Sequence, residues 1–434
     1  MENNEIFAAD SERQYPSLAQ AFLVWLRIGL LSFGGPAAQI ALMHREIVEK
    51  NQWLNEKQFL NALSFCMLLP GPEAMQLATY AGWRLHGTIG GLIAGLLFVL
   101  PGACVIFTLA TVYAFYGDLS LVNALFLGVK AAIIIIVIEA LLKVAKRALH
   151  LFEHWVIAAL AFVGIYFLAL PFPLIIVVAA GFGFLRANPE LQDEESVIVS
   201  VSPWRSLFTI MLWLAIWWIP LSLLVLLGPE NLLLQIGIFF SKLAVVTFGG
   251  AYAVLAYLGQ DVVGKFGWLS AGEMMDGLGL AETTPGPLIL VNEFVGFLAA
   301  FRYGGFWYGL LGAVVTLWAT FAPCFLWIFA GAPYIDWISS QPRLRGALTA
   351  ITAAVVGVIL NLSIWFALHV FFTDVSRQEY GVLVVWQPEL SSLDWRVIVL
   401  ALLSAIILFR LRWEISRVLM ISAISGVALT SLVS

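Results

Sequence analysis

Apolar runs of about 20 residues, the length a helix needs to cross a bilayer, alternate with short polar joints along almost the whole chain. They predict spanning helices over 17–35, 88–116, 120–147, 154–170 and 172–186, and again over 231–250, 305–331, 344–371, 393–410 and 413–432. An additional run from Leu207 to Leu227 joins the two sets. After the first segment of each set comes an amphipathic stretch, then a pair of short apolar pieces split by prolines. The pairs are 58–69 with 73–85, around "LLPGPE", and 271–284 with 288–301, around "TTPGPL". Each piece is too short to cross by itself, and prolines remove backbone hydrogen bonds that lipid cannot replace. The pattern predicts an all-α polytopic membrane protein in which something other than lipid uses the broken backbone.

Composition agrees and narrows the function. Of 434 residues, 62% are hydrophobic and 11% charged, with a mean hydropathy of +0.95. The net charge of −5 contains no basic run dense enough for a nucleic-acid surface, so no such partner is implied. The start, "MENNEIFAADSERQYPSL", lacks the basic, apolar and small-residue regions of a secretory signal and is expected to remain as a short tail. Cys66, Cys104 and Cys324 stand singly in apolar surroundings and read as packing residues. Five scattered histidines give no metal site, and no phosphate-binding loop, nucleotide domain or nucleophile–base set is present. These absences argue against an enzyme, a bound cofactor and a self-contained ATP-driven pump.

The two sets are copies. "WLRIGLLSFGG" at 25–35 lies over "FSKLAVVTFGG" at 240–250 with an offset of 215 residues. The same offset pairs Arg27 with Lys242, Ser32 with Thr247, Glu46 with Asp261, Trp53 with Trp268, and Pro70-Gly71-Pro72 with Pro285-Gly286-Pro287. Further on, Pro101 meets Pro323 and Glu139 meets Asn361 at an offset of 222. The organisation read from this is a first repeat over 1–190, a cytoplasmic linker with a connecting helix over 191–228, and a second repeat over 229–434. Basic clusters at Lys143, Lys146 and Arg147, at Arg343 and Arg345, and at Arg410, Arg412 and Arg417 share the cytoplasmic side if each broken pair crosses once. That gives six crossings per repeat and about 13 in all, with the repeats inverted as in many transporters. It leaves Arg45, Lys50 and Lys57 on the other side.

Inverted repeats would bring the two Pro-Gly-Pro breaks together near mid-bilayer. The half-helices starting at Glu73 and Leu288 would offer free N–H groups and a positive dipole end to an anion, with Gly71, Pro72, Gly286 and Pro287 at the approach. The alternative is a pair of packing kinks. Arg27 and Lys242, mid-helix cations, suit a dianion if they face a polar cavity; otherwise they snorkel or pair with an acid. Ser32, Gly34, Gly35, Thr247, Gly249 and Gly250 could supply donors or simply allow close packing. Gln76, Thr79 and Asn292 either touch a ligand or bond between helices. Glu73 and Glu282 are candidate proton carriers or partners of a nearby cation, and Glu139 with Lys143 reads as an ion pair one turn apart.

The stretches "SFGGPAAQIALMHREIVEKNQWL", "LPGPEAMQLATYAGWRLHGTIGGLIAGLLFVLPG", "TFGGAYAVLAYLGQDVV" and "TTPGPLILVNEFVGF" closely resemble the long-chain, two-domain members of the chromate ion transporter family. The similarity covers nearly the full chain. It implies a carrier in the cytoplasmic (inner) membrane that exports chromate, a tetrahedral dianion shaped like sulfate, and so confers chromate resistance. The family's glycine motif falls on Ser32 to Pro36 and its proline motifs on Pro70 to Pro72 and Pro285 to Pro287, while Ala251 replaces the proline found at Pro36. A carrier of sulfate or another oxyanion, an anion channel and, more remotely, a membrane-embedded chromate reductase are the rival readings. The lipid bilayer is a necessary partner, and a homodimer is open.

Overall fold

The computed structural model describes residues 16–117, 119–187, 203–228, 230–248 and 251–433. The 191–228 linker expectation therefore falls mostly outside the described residues until the connecting helix begins at Pro203, and Gly249 and Gly250 also lie outside them.

The chain is a helical bundle. Helix α1 (Leu18–Leu31) is followed by α2 (Gly35–His44), which continues as a π turn over Arg45–Lys50. Then come α3 (Glu56–Leu68), α4 (Glu73–Tyr116), α5 (Ser120–Ala148), α6 (Phe152–Tyr166), α7 (Phe172–Arg186) and the connecting α8 (Pro203–Leu223). The second set comprises α9 (Leu232–Val246), α10 (Ala251–Leu258), α11 (Ala271–Thr283), α12 (Val291–Gly331), α13 (Ile335–Ser340), α14 (Pro342–Phe371), α15 (Trp395–Ala405) and α16 (Ile415–Val433). Six stretches among the described residues are long and apolar enough to cross a membrane. The all-α expectation misses one antiparallel hairpin, β1 (Val375–Tyr380) with β2 (Leu383–Pro388), which turns at Gly381.

Helices α4 and α12 are each two limbs. His86 and Gly87 leave the helical region in α4, as Gly304 and Gly305 do in α12; Gly87 (φ 62, ψ −154) and Gly305 (φ 74, ψ −166) adopt a conformation that is open essentially to glycine alone. The limbs double back tightly. A Cβ at Gly82 would stand 2.4 Å from the Gly90 carbonyl oxygen, and one at Gly296 would stand 3.0 Å from that of Gly312.

The broken pairs double back as well, which corrects the reading that each crosses once. The Phe65 and Tyr80 rings, on opposite sides of the first break, are 6.4 Å apart, and a side chain at Gly277 would collide with Phe294 across the second. Two half-helices placed end to end would hold these residues roughly 22 Å apart or more, at 1.5 Å rise per residue. The first helices behave in the same way: Trp25 of α1 lies 6.3 Å from Trp53, beyond α2, so the chain turns at its glycine tip and returns. A count of about 13 crossings therefore does not follow.

The sequence supplies the starts of these hairpins. Asn55 and Gln58 form a capping box at α3, and Ser270 and Glu273 form the matching one at α11, so both broken pairs begin on the same local device. The second limbs of α4 and α12 pack antiparallel at the centre. Gly91 lies against Phe329 and Gly95 against Phe325, while Phe107 meets Phe306 at the opposite end.

Candidate functional site

Where the two central limbs cross, each Pro-Gly-Pro break meets the glycine tip of the other half. Gly286 donates its N–H to the carbonyl of Ser32 (2.9 Å), and Gly71 donates its N–H to the carbonyl of Thr247 (2.8 Å). The tips match in detail. The Ser32 hydroxyl donates to Ile28 O and the Thr247 hydroxyl to Leu243 O, each at 2.6 Å. Ser32 (φ −77, ψ 62) and Thr247 (φ −75, ψ 80) share an inverse-γ bend, closed by Phe33 N–H to Leu31 O and Phe248 N–H to Val246 O. An unpaired backbone group in a dry interior costs several kcal/mol, so these cross-bonds hold tip and break together.

Each break also sits on the kinked limb of the opposite half. A Cβ at Gly102, beside Pro101, would lie 2.1 Å from Pro285 O, and one at Gly71 would lie 2.9 Å from Cys324 Sγ, beside Pro323. Cys324 is thus a packing residue, placed where a larger side chain would displace the break. Gln39 adds a bond in one half alone: its Nε2 donates to Gly286 O (2.7 Å) and to Ser32 O (3.2 Å). Sequence reasoning passes over Gln39 because its counterpart in the repeat, Val254, is apolar.

The residues expected to share one site are divided between two layers. Gly71, Pro72, Gly286 and Pro287 are buried, with the N–H groups of both glycines already used by carbonyls of the tips. They brace the tips rather than presenting those N–H groups to a ligand. Arg27 and Lys242 are exposed on the outer faces of α1 and α9, because Trp25, Ile28 and Gly29, and likewise Ser241, Leu243 and Ala244, take the packed faces. The side chain of Arg27 therefore stands apart from the buried breaks, and shares its exposure with Leu30, Leu31, Phe33 and Gly34.

On that open side the first tip presents backbone N–H groups. Gly34 (φ 85) and Gly35 (φ 79) are both left-handed, and Gly34 N-caps α2 with no side-chain cap. Pro36 at the first turn lacks an N–H, whereas Gly35 and Ala37 carry theirs at the positive end of the helix. Among the described residues, nothing lies within 4 Å of the space a Gly35 side chain would take.

The remaining expectations are distributed around this core. Gln76 Nε2 donates to Pro70 O (2.7 Å), tying the break to its own half-helix. Asn292 Nδ2 donates to Thr320 Oγ1 (3.3 Å), and Thr79 Oγ1 to Met75 O (2.9 Å). Glu73 opens α4 half-buried, with Arg147 reaching the same hairpin at Met67 Sδ. Glu282 is buried and accepts from the Tyr252 hydroxyl (2.6 Å), and Glu139 pairs with Lys143 (2.8 Å). Buried Glu293 has one oxygen, Oε2, without a partner among the described residues.

Comparison with known proteins accounts for the duplicated architecture. The sequence model of the family described as "Chromate transporter" matches twice, at residues 19–184 and 234–429. A chromate transport protein of Pseudomonas aeruginosa is 34% identical over 357 residues, 79% of each chain. One of Cupriavidus metallidurans is 32% identical over 370 residues, 83% of this chain and 86% of that protein. A probable chromate transport protein of Synechococcus elongatus is 31% identical over 345 residues, covering 79% and 83%. No solved structure matches. With these matches running through both copies of the braced tip, the chain belongs to the chromate transporter family and is a membrane transport protein rather than an enzyme.

Proposed function

We propose that the chain is a secondary carrier that exports chromate across the cytoplasmic membrane and thereby confers chromate resistance. The observation that carries the reading is the reciprocal bracing of each glycine tip by the opposite half's Pro-Gly-Pro break. In this reading the two repeats, 1–190 and 229–434, are inverted with respect to each other. The antiparallel central limbs support that arrangement. Full crossings are 88–116, α5, α6, α7, α8, 306–331, α14, α15 and α16, with four re-entrant helical hairpins between them. Five crossings separate the start of one repeat from the start of the next, and an odd number inverts the second. The doubled-back hairpins also return Arg45, Lys50 and Lys57 to the end of the bundle that holds Lys143, Lys146 and Arg147, so these clusters share the cytoplasmic face.

Chromate binds at the open side of the tips. The N–H groups around Gly34 and Gly35 and the Arg27 guanidinium serve one half; Gly249, Gly250 and Lys242 serve the other, with Thr247 holding the brace beneath them. Asn292 and Gln76 shape the brace, and Glu73 and Glu282 are the proton-carrying candidates of the hairpins. An irregular backbone at mid-membrane depth is tolerated only in protein or beside water, which supports a water-lined groove there. Outward movement of two negative charges is favoured by an inside-negative potential by about 2.3 kcal/mol per charge per 100 mV, so export needs no ATP.

Everted vesicles test this. Saturable chromate uptake that depends on the chain and outcompetes sulfate is the expected result. Sulfate carried as fast as chromate would replace chromate by oxyanions in general, and non-saturating single-channel conductance would replace the carrier by a channel.

A further inference from the structure

Away from the tips, the bundle end that carries the second half's reversal contains a polar cavity of about 360 Å³ between α4, α5, α11 and α12. Among the described residues, its charged and titratable lining is Tyr113 from α4, Lys130 from α5, Glu273 and Asp276 from α11, and Arg302 from α12. Arg302 pairs with Glu273 and also donates to Trp268 O (2.9 Å) at the more open part. Asp276 is 3% exposed; its Oδ2 accepts from the Tyr113 hydroxyl (2.8 Å) and from Lys130 Nζ (3.3 Å). Its Oδ1 is buried with no partner among the described residues.

We propose that Asp276 is a proton-exchange site, reached from water through this cavity, whose protonation biases the hairpin that braces the Ser32 tip. Among the described residues the four charged groups balance as two cations and two carboxylates, so one added proton, converting the Asp276 carboxylate to its acid, adds one positive charge to the cavity and releases Lys130 from the carboxylate it pairs with there. The unpartnered Oδ1 is a buried acceptor at the wall of a polar cavity, where a water in the cavity can donate to it and pass a proton in or out. The placement then gives the proton a consequence. Asp276 stands on α11, which ends at Thr283, and three residues later Gly286 holds the Ser32 carbonyl. A change in the Asp276–Lys130 contact is thereby transmitted along one short helix to the brace. The corresponding residues of the first half, Gln58 for Glu273 and Asn61 for Asp276, cannot ionise, so the device belongs to one half alone.

This inference rests on the chromate-carrier reading, and the test separates the two. Sealed vesicles containing the full chain, wild type or Asp276→Asn, are given chromate, and chromate entry and medium pH are followed together across acid to alkaline pH. The wild type is expected to move protons with chromate and to show a pH-dependent rate. Asp276→Asn is expected to lose both the proton movement and the pH dependence while retaining chromate–chromate exchange. Chromate transport by the wild type without proton movement, or an Asp276→Asn variant with the wild-type pH profile, overturns the inference and leaves the carrier standing. No chromate movement by the wild type overturns the carrier reading itself. If Asp276→Asn does not accumulate, Tyr113→Phe serves: a carboxylate that loses a donor holds its proton to higher pH, so the rate profile moves to higher pH, and an unmoved profile overturns the proposal.

Discussion

At the scale of single residues, some atoms of the tips and breaks are taken and others are open. The Gly71 and Gly286 N–H groups are taken by carbonyls, whereas Arg27 and the N–H groups at the start of α2 are open. Arg27→Ala and Lys242→Ala, at normal protein levels, are each expected to raise the chromate KM about tenfold, the effect of losing on the order of 1.4 kcal/mol. Initial rates in everted vesicles measure it, and unchanged KM in both variants would remove these side chains from the mechanism. Gly102→Ala tests the brace separately. Its new Cβ would fall 2.1 Å from Pro285 O, backbone that can yield only by moving the break away from Ser32. Overpacking of about 1–3 kcal/mol and a loss of transport with the protein still inserted are expected; wild-type rates would show that the contact is dispensable. The matched positions of Ser32 and Thr247 and of the two breaks are legible in the sequence. That each break would hold the opposite tip is not, because spacing along one chain says nothing about which carbonyl an N–H will reach. Lys130 and Asp276 are hidden for a related reason: the repeat comparison draws attention to charges that occur twice, and these occur once.

At the scale of elements, proline and glycine carry different instructions that look alike in sequence. The Pro-Gly-Pro signal marks where a half-helix stops and another starts, but the angle between them comes from packing, with Phe65 on Tyr80 in one half and Gly277 on Phe294 in the other. A break read as an interruption of a straight crossing adds a crossing that a doubled-back hairpin does not make. The β1–β2 hairpin is the other element the helical period conceals. It fills a joint that spans three residues in the first half, between α5 and α6, and more than twenty in the second, between α14 and α15. The helix that follows begins on Asp394, whose Oδ1 accepts from Arg396 N–H (2.9 Å) while the Arg396 guanidinium closes on Oδ2 (2.7 Å). Hydrogen bonds from Arg396 hold the Asp394 carboxyl below its ordinary range. A lowered carboxylate contributes stability that is present above the unfolded value and is lost as pH falls through the folded one. Thermal unfolding of Asp394→Asn in detergent should therefore fall below wild type near neutral pH and converge with it in acid; a gap that persists in acid would assign the effect to something other than the charge.

At the scale of the whole molecule, two copies of one plan interlock so that neither half has a complete brace without the other. Antiparallel central limbs carry the kinks, the kinks seat the breaks, and the breaks fasten the tips. A rocking motion of one half against the other would then move both tips together, as alternating access requires. The most direct measurement of this account uses Ala37→Cys, an exposed position in the first turn after Gly35, in a chain whose Cys66, Cys104 and Cys324 have been replaced by serine or alanine. A small water-soluble thiol reagent is applied to vesicles with and without chromate. The account predicts labelling from water and its suppression by saturating chromate; labelling at the same rate with chromate present, in a variant that still transports it, would contradict the claim that the braced tip holds the anion.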